Sequence, residues 1–93
     1  MVAGTPRVNA NSITNWPVGT IVRVVGKVQN VNGGSVVLET DTNPNSNNRF
    51  ITVLKKPETE YNPGQFYEVV GGSNPDMSLN EDWVFDFKNS FGT

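Results

Sequence analysis

The sequence contains no cysteine and no histidine among its 93 residues. Without cysteine the chain has no disulfide framework, no thiolate metal site and no cysteine nucleophile. Without histidine it also lacks the commonest general base and the commonest ligand of transition metals. These two absences remove the side chains on which most nucleophilic catalysis and most zinc sites depend.

Charged residues and long apolar runs are also scarce. Charged side chains make up 17% of the chain and the net charge is −2, so the molecule as a whole lacks the basic character of a nucleic-acid-binding protein. No apolar run approaches the ~20 residues that cross a bilayer. No secretory signal begins the chain. We therefore expect a soluble intracellular protein.

The composition that remains is rich in Asn, Ser, Thr and Gly, with apolar residues at 35%. It is typical of short β-strands joined by turns, because the helix-favouring residues Ala, Leu, Lys and Glu are few. A chain of this length forms one domain and can bury roughly 60–65% of its surface, which is enough for a single core.

The longest run of β-branched residues, residues 20–31, carries a single glycine near its middle. Val22, Val24 and Val28 share one face of the predicted strand with that glycine, Gly26. A lone glycine inside a strand suggests a bulge or a sharp bend, and a bent strand can belong to two sheets at the corner of a barrel. An ordinary long edge strand is the alternative.

Alternating apolar residues and the turn residues between them predict five strands. Their expected ranges are 21–31, 35–41, 49–55, 65–71 and 77–88. In the third strand both faces carry apolar residues, so the alternation does not indicate which face is buried. Five strands with tight turns favour a small closed barrel, whereas a sandwich of the immunoglobulin type needs about seven.

One helical turn is expected before the strands. Ala10, Ile13 and Trp16 stand at three-residue spacing, Asn9 or Asn11 can cap the turn, and proline follows at position 17. We therefore divide the chain into an N-terminal extended segment with a short turn, residues 1–18, and a barrel, residues 19–93.

The sequence gives no indication of an enzyme. The carboxylate pairs Glu58/Glu60 and Glu81/Asp82 lie in polar stretches and are interpreted as solvated side chains rather than as an acid–base pair. The double glycines lack the Gly-Lys-Ser/Thr context that cradles phosphate. We expect no catalytic residues, no cofactor and no metal.

A binding surface is the remaining possibility, since small five-stranded barrels bind oligonucleotides across their strands. Such binding needs cations along the phosphates and flat side chains for stacking, each stacked base contributing roughly 1–3 kcal/mol. The candidate nucleic-acid-binding residues, on the first and third strands, are Arg23, Lys27, Arg49, Phe50, Lys55 and Lys56. The alternative is that the cations only solvate the outer face and Phe50 is in the core, because Glu39 and Asp41 nearby repel phosphate.

Trp83, Phe85 and Phe87 share one face of the last predicted strand. Alternating aromatic residues are more often core residues or a partner-binding face than a platform for bases. We therefore predict that these three belong to the core or to a protein interface.

Several segments, taken in order, resemble the small subunit of eukaryotic replication protein A, particularly its fungal forms. The most specific are the Thr-Pro-Arg-Val-Asn-Ala opening at residues 5–10 and the Val-Gly-Lys strand within residues 22–28. The similarity continues through residues 18–19, 66–70, 75–79, 85–87 and 91–92.

The resemblance implies an antiparallel Greek-key barrel of the OB-fold type. It also implies a subunit of the heterotrimeric single-stranded-DNA-binding complex of replication, repair and recombination, located in the nucleus. In this family the small subunit chiefly joins the middle and large subunits and contributes little DNA affinity, and no membrane is involved. A C-terminal helix follows the barrel in the family, at about the point where this sequence reaches Thr93.

Two other functions remain open. The chain could be an autonomous single-stranded nucleic-acid-binding domain, with the basic residues of its first and third strands as the site. It could also be the analogous small subunit of a telomere-capping complex, although its Thr-Pro-Arg-Val-Asn opening argues against that.

Overall fold

The computed structural model describes residues 5–41, 45 and 49–86. Within them the chain forms seven strands and one short 3₁₀ helix at Ile13–Asn15. The strands are β1 (Arg7–Val8), β2 (Ile21–Asn32), β3 (Ser35–Glu39), β4 (Phe50–Leu54), β5 (Phe66–Gly72), β6 (Leu79–Asn80) and β7 (Trp83–Asp86). No helix in this part of the chain is long and apolar enough to span a membrane.

Strand β2 belongs to both halves of the sheet, as its sequence predicts. Its first half pairs with β5 and its second half with β3, and Lys27 is paired on both sides. A side chain at Gly26 would place its Cβ 2.9 Å from the Cβ of Leu38, so only glycine permits the strands to approach this closely. The bulge itself lies three residues further on, where the register shifts at Gln29.

The sheet closes through the last two strands. Its order is β6-β4-β3-β2-β5-β7, and only Glu81 and Asp82 separate β6 from β7 in the chain. The amide of Glu81 donates to the carbonyl of Leu54 on β4, while the amide of Asp82 donates to Val70 on β5. The two ends of the sheet are therefore joined into a barrel.

The sequence predicted one continuous strand over residues 77–88, but the structure has two shorter strands there. The strand is divided into β6 and β7, because the chain leaves β4 and joins β5 at this point. Residues 87 and 88 lie outside the described residues. Two short pairings, β1 with β2 and β4 with β6, are parallel, while the four others are antiparallel.

Within the described residues, valines form half of the hydrophobic core, seven of its fourteen buried residues. Val22, Val24 and Val28 are buried on the face of β2 that the alternation predicted, and on β4 it is Ile51 and Val53 that point inward. The N-terminal segment adds Val8, Ala10 and Ile13 to the same cluster. Its short turn is capped by Asn9, whose Oδ1 accepts hydrogen bonds from the amides of Asn11 and Ser12.

Candidate nucleic-acid interface

The six predicted contact residues do not form one patch. Arg23 and Lys27 lie on the outer face of β2, whereas Arg49 and Phe50 stand at the start of β4, and Lys55 and Lys56 follow its end. Lys27 pairs with Glu39, which pairs with Phe50, so one row across three strands joins the first two groups. The lysines after β4 are about 17 Å from Phe50, because a strand rises ~3.3 Å per residue.

The charge of Arg49 is neutralised within the fold. Its Nη2 lies 2.7 Å from Oε2 of Glu39, and its guanidinium is 5.1 Å from the centroid of the Phe50 ring. Gln29 donates to the other oxygen of Glu39 at 2.7 Å. The two 2.7 Å distances are those of strong charge-assisted hydrogen bonds, and the 5.1 Å distance is that of a cation–π contact. Arg49 and Phe50 are therefore held together in a local cluster.

Arg23 shares a carboxylate with a residue that the sequence did not indicate. The parallel pairing of β1 with β2 places Arg7 beside Arg23. Both approach Oε2 of Glu68, at 3.9 Å and 3.6 Å, while the Glu68 side chain is only 14% exposed. Two cations therefore face one carboxylate, at distances longer than a charge-assisted hydrogen bond.

Lys55 and Lys56 have weaker partners. The Nζ of Lys55 donates to the backbone carbonyl of Lys56 at 3.2 Å. The Nζ of Lys56 donates to the backbone carbonyl of Asp82 at 3.3 Å. Within the part of the chain that the structure describes, no carboxylate forms an ion pair with either lysine. No ion pair among the described residues therefore offsets these two amines at the end of β4.

The exposed aromatic residues exclude a core position for Phe50, and for Trp83 and Phe85 they leave the predicted protein interface as a prediction. Phe50 is 49% exposed, so the alternative that placed it in the core is wrong. Trp83 and Phe85 are 67% and 52% exposed and also lie outside the core, while Phe87 is outside the described residues. Val84, between them, packs against the core instead. Alternation alone could not choose between these two faces of β7, since both carry an apolar side chain.

Glu81, predicted to be a solvated loop carboxylate, is buried. It accepts hydrogen bonds from the hydroxyls of Thr59 and Tyr61 at 2.6 and 2.9 Å, and one from the amide of Lys56 at 3.3 Å. Burial and the hydrogen bond to Glu81 raise the pKa of Tyr61 well above its ordinary value. The cluster fastens the segment between β4 and β5 to the junction of β6 and β7, which is a structural role.

A cavity of about 440 Å³ lies between the N-terminal segment and the bend of β2. Its lining includes Arg7, but also Glu39 and Asp41. The carboxylates repel phosphate, as the sequence suggested, so this cavity is a poor phosphate site.

Comparisons with known proteins place the chain in a family. Residues 1–93 match the family model described as replication factor A protein 3. A search of curated protein sequences finds no match. The structure of U. maydis replication protein A bound to single-stranded DNA is similar with a TM-score of 0.76 and 27% identity, covering 94% of this chain and 76% of that chain.

Two S. pombe structures share the fold at lower identity. The Stn1–Ten1 complex gives a TM-score of 0.72 at 17% identity, covering 92% of this chain and 79% of that chain. The telomere capping protein Ten1 gives a TM-score of 0.71 at 17% identity, covering 89% of this chain and 81% of that chain. The predicted OB fold and the predicted resemblance are thereby confirmed. The chain belongs to the replication factor A protein 3 family.

Proposed function

We propose that the chain is the small structural subunit of a replication protein A complex, joining the middle and large subunits and contributing little DNA affinity itself. The family match over residues 1–93 is the observation that carries this proposal. The similarity to the U. maydis complex supports it. The subunit is not an enzyme, resides in the nucleus, and acts in DNA replication, repair and recombination.

The charge arrangement agrees with a scaffold. Glu39 binds Arg49 at 2.7 Å. Arg7 and Arg23 share Glu68 at longer distances, so the carboxylates offset only part of the basic charge. The net charge of −2 adds no general attraction for phosphate. The remaining contact to single-stranded DNA is proposed to be weak. Its candidate residues are the six predicted from the sequence, of which Arg23 and Lys27 share one face of β2: Arg23, Lys27, Arg49, Phe50, Lys55 and Lys56.

Co-expression with tagged middle and large subunits of fungal replication protein A tests the proposal. We expect the 93-residue chain to co-purify in equal amounts with both subunits, and to bind a labelled thymidine oligomer far more weakly alone than the assembled trimer does. Recovery of the other two subunits without this chain would overturn it.

The same experiments separate the two alternatives. Co-purification with a Stn1 protein in place of the replication subunits would identify a telomere-capping subunit. Submicromolar affinity of the isolated chain for the oligomer, with a steep dependence on salt, would identify an autonomous binding domain.

A further inference from the structure

Strand pairing assembles a mixed aromatic and basic surface on the side of the barrel away from β4. Arg7, Arg23, Val70 and Trp83 are consecutive partners across β1, β2, β5 and β7, so they form one row. Val25, Glu68 and Phe85 form the adjacent row, and Lys27 lies in the next. We call this surface the aromatic face and define it by its polar and aromatic side chains: Arg7, Arg23, Lys27, Glu68, Trp83 and Phe85.

The aromatic face is positively charged although the chain is not. It carries three cations and the carboxylate of Glu68, while the whole chain has a net charge of −2. The neighbouring carboxylate of Glu39, beside Lys27, is paired with Arg49. Val84 packs against the core, so it lies on the inner face of β7. Because side chains alternate along a strand, Asp82 and Asp86 lie on the same face as Val84, opposite to Trp83 and Phe85. Positive charge is therefore concentrated at the β1 and β2 side of the face, while Glu68 lies directly beside Phe85.

The spacing of the rings suits a single strand of nucleic acid. Trp83 and Phe85 are two residues apart on β7, which corresponds to about 6.6 Å. This is roughly twice the 3.4 Å rise between stacked bases in one strand of a duplex. Two neighbouring bases can stack on the two rings only if the nucleic-acid strand between them is stretched, as it is when bases stack on protein side chains.

Arg7 and Arg23 stand in the same row as Trp83, and Arg23 is the nearer of the two. Trp83 and Arg23 are two strands apart, about 10 Å, because neighbouring strands lie ~4.8 Å apart. Arg7 is 62% exposed and Arg23 is 3.6 Å from Glu68, so neither guanidinium is tightly held. Next to Lys27, by contrast, Glu39 holds Arg49 at 2.7 Å.

We propose that the aromatic face is a contact site for single-stranded DNA, with bases stacked on Trp83 and Phe85 and phosphates near Arg7, Arg23 and Lys27. The inference rests on the proposed function, because it locates the weak DNA contact of that subunit. The proposed site contains two of the predicted cations, Arg23 and Lys27. It adds Arg7, Trp83 and Phe85, which the sequence analysis did not propose as nucleic-acid contacts.

The two tryptophans of the chain provide a direct test. Trp16→Phe leaves Trp83 as the only indole, and Trp83→Phe leaves only Trp16, which is 43% exposed. Each variant of the full chain is titrated at low salt with a thymidine oligomer. We expect saturable quenching of the Trp83 fluorescence and no change in the Trp16 fluorescence.

Anisotropy with the labelled oligomer measures the energetic contribution. Trp83→Ala is expected to weaken binding about fivefold or more, since a stacked base contributes roughly 1–3 kcal/mol. Trp16→Ala is the matched control and leaves the affinity within about twofold. The logarithm of the affinity should fall with the logarithm of salt with a slope of about −2, as three phosphate contacts on a single strand predict.

Several results would overturn the inference. They are an absence of oligomer binding at low salt, binding that leaves the Trp83 fluorescence unchanged, and a loss of affinity with Phe50→Ala but not with Trp83→Ala. Quenching of Trp83 by the purified middle subunit but not by the oligomer would make this face a protein interface instead. Co-purification with the other subunits is scored separately, so failure of this inference is distinguishable from failure of the proposed function.

Discussion

Among single residues, Glu81 is the buried polar group that holds the closing segment of the barrel. Its carboxylate accepts hydrogen bonds from Thr59, Tyr61 and the amide of Lys56, and these partners all come from the connection between β4 and β5. Edge-to-face packing of Tyr61 on Tyr67, with ring centroids 4.9 Å apart, extends the cluster into the core. A polar network of this kind stabilises the fold only when all its members are satisfied.

Replacing Glu81 by alanine should lower the free energy of unfolding by about 2–3 kcal/mol. The cause is that the hydroxyl of Tyr61 loses its acceptor inside the protein, and hydrogen bonds to charged groups are worth about this much. Urea unfolding at neutral pH measures the change. Glu60→Ala, at an exposed position of the same connection, is the control and should change stability by less than about 0.5 kcal/mol. Equal effects of the two substitutions would contradict the role assigned to Glu81.

Ionisation of Tyr61 is expected to lower the free energy of unfolding at alkaline pH. Its pKa is raised in the folded state, so the fold favours the protonated phenol. This contribution is fully present below pH ~10, where the unfolded phenol is also protonated, and it is lost as the pH rises further. Above that pH we expect Tyr61 to lower the free energy of unfolding by up to ~1.4 kcal/mol per pH unit.

The measurement is urea unfolding at a series of pH values above neutrality, with Tyr61→Phe as the comparison. The variant should lose stability at neutral pH but show a weaker decline at alkaline pH. Parallel curves for the two proteins would show that another group is responsible.

At the scale of elements, two glycines allow strands to approach more closely than any other residue permits. Gly26 lies against Leu38 where β2 passes from β5 to β3. Gly71 lies against the backbone carbonyl of Asn80, where β6 closes the barrel, and a Cβ at this position would overlap with that carbonyl. Because a backbone group cannot turn aside as a side chain can, any larger residue at position 71 must displace β6.

Gly71→Ala should therefore lower the free energy of unfolding by about 3 kcal/mol, at the upper end of the usual cost of overpacking. The neighbouring Gly72→Ala is a matched control, because its Cβ would meet only ordinary contacts, at 3.6 Å and 3.7 Å. Thermal or urea unfolding of the two variants measures the difference. If both variants were equally stable, the close approach of β5 and β6 would not be what restricts this position.

At the scale of the whole molecule, the N-terminal segment and the barrel share one core. Val8, Ala10 and Ile13 are buried against the strands, and the amide of Arg23 donates to the carbonyl of Pro6 at 2.8 Å. The division of the chain at residue 18 stays a prediction, and within the described residues the segment before it contributes three side chains to the core of the barrel.

A chain that begins at residue 19 should be less stable than the full chain by several kcal/mol. It lacks three buried apolar side chains, and loss of a single large one typically costs 2–5 kcal/mol. Since domains are stable by only ~5–15 kcal/mol, we expect a strongly reduced urea midpoint or loss of cooperative unfolding. The substitution Ile13→Ala should reproduce part of the effect, whereas Thr14→Ala, at an exposed position, should not. A shortened chain as stable as the full one would show that the segment adds nothing to the core.

The sequence predicted more of the fold than of the candidate site. The five strand regions, and the membership of β2 in both halves of the sheet, could be predicted because alternation and turn residues are local signals. The irregularity lies at Gln29 and not at Gly26. The division of the last strand at Glu81 could not be predicted, because it follows from a change of pairing partner that the local pattern does not record. The same holds for Arg7, which lies beside Arg23 only because β1 pairs in parallel with β2.

The sequence by itself determined the fold class, the family and the absence of cysteine and histidine chemistry, since these depend on composition and on motifs that are contiguous in the chain. Only the tertiary structure decided which charges are paired and which aromatic residues are exposed. Arg49 and Glu39 are ten residues apart, and Arg23 and Trp83 are sixty apart, yet strand pairing makes the first pair an ion pair and places the second in one row. Whether a side chain is neutralised, buried or available to a ligand depends on such neighbours, and the register of the closed sheet is what sets them.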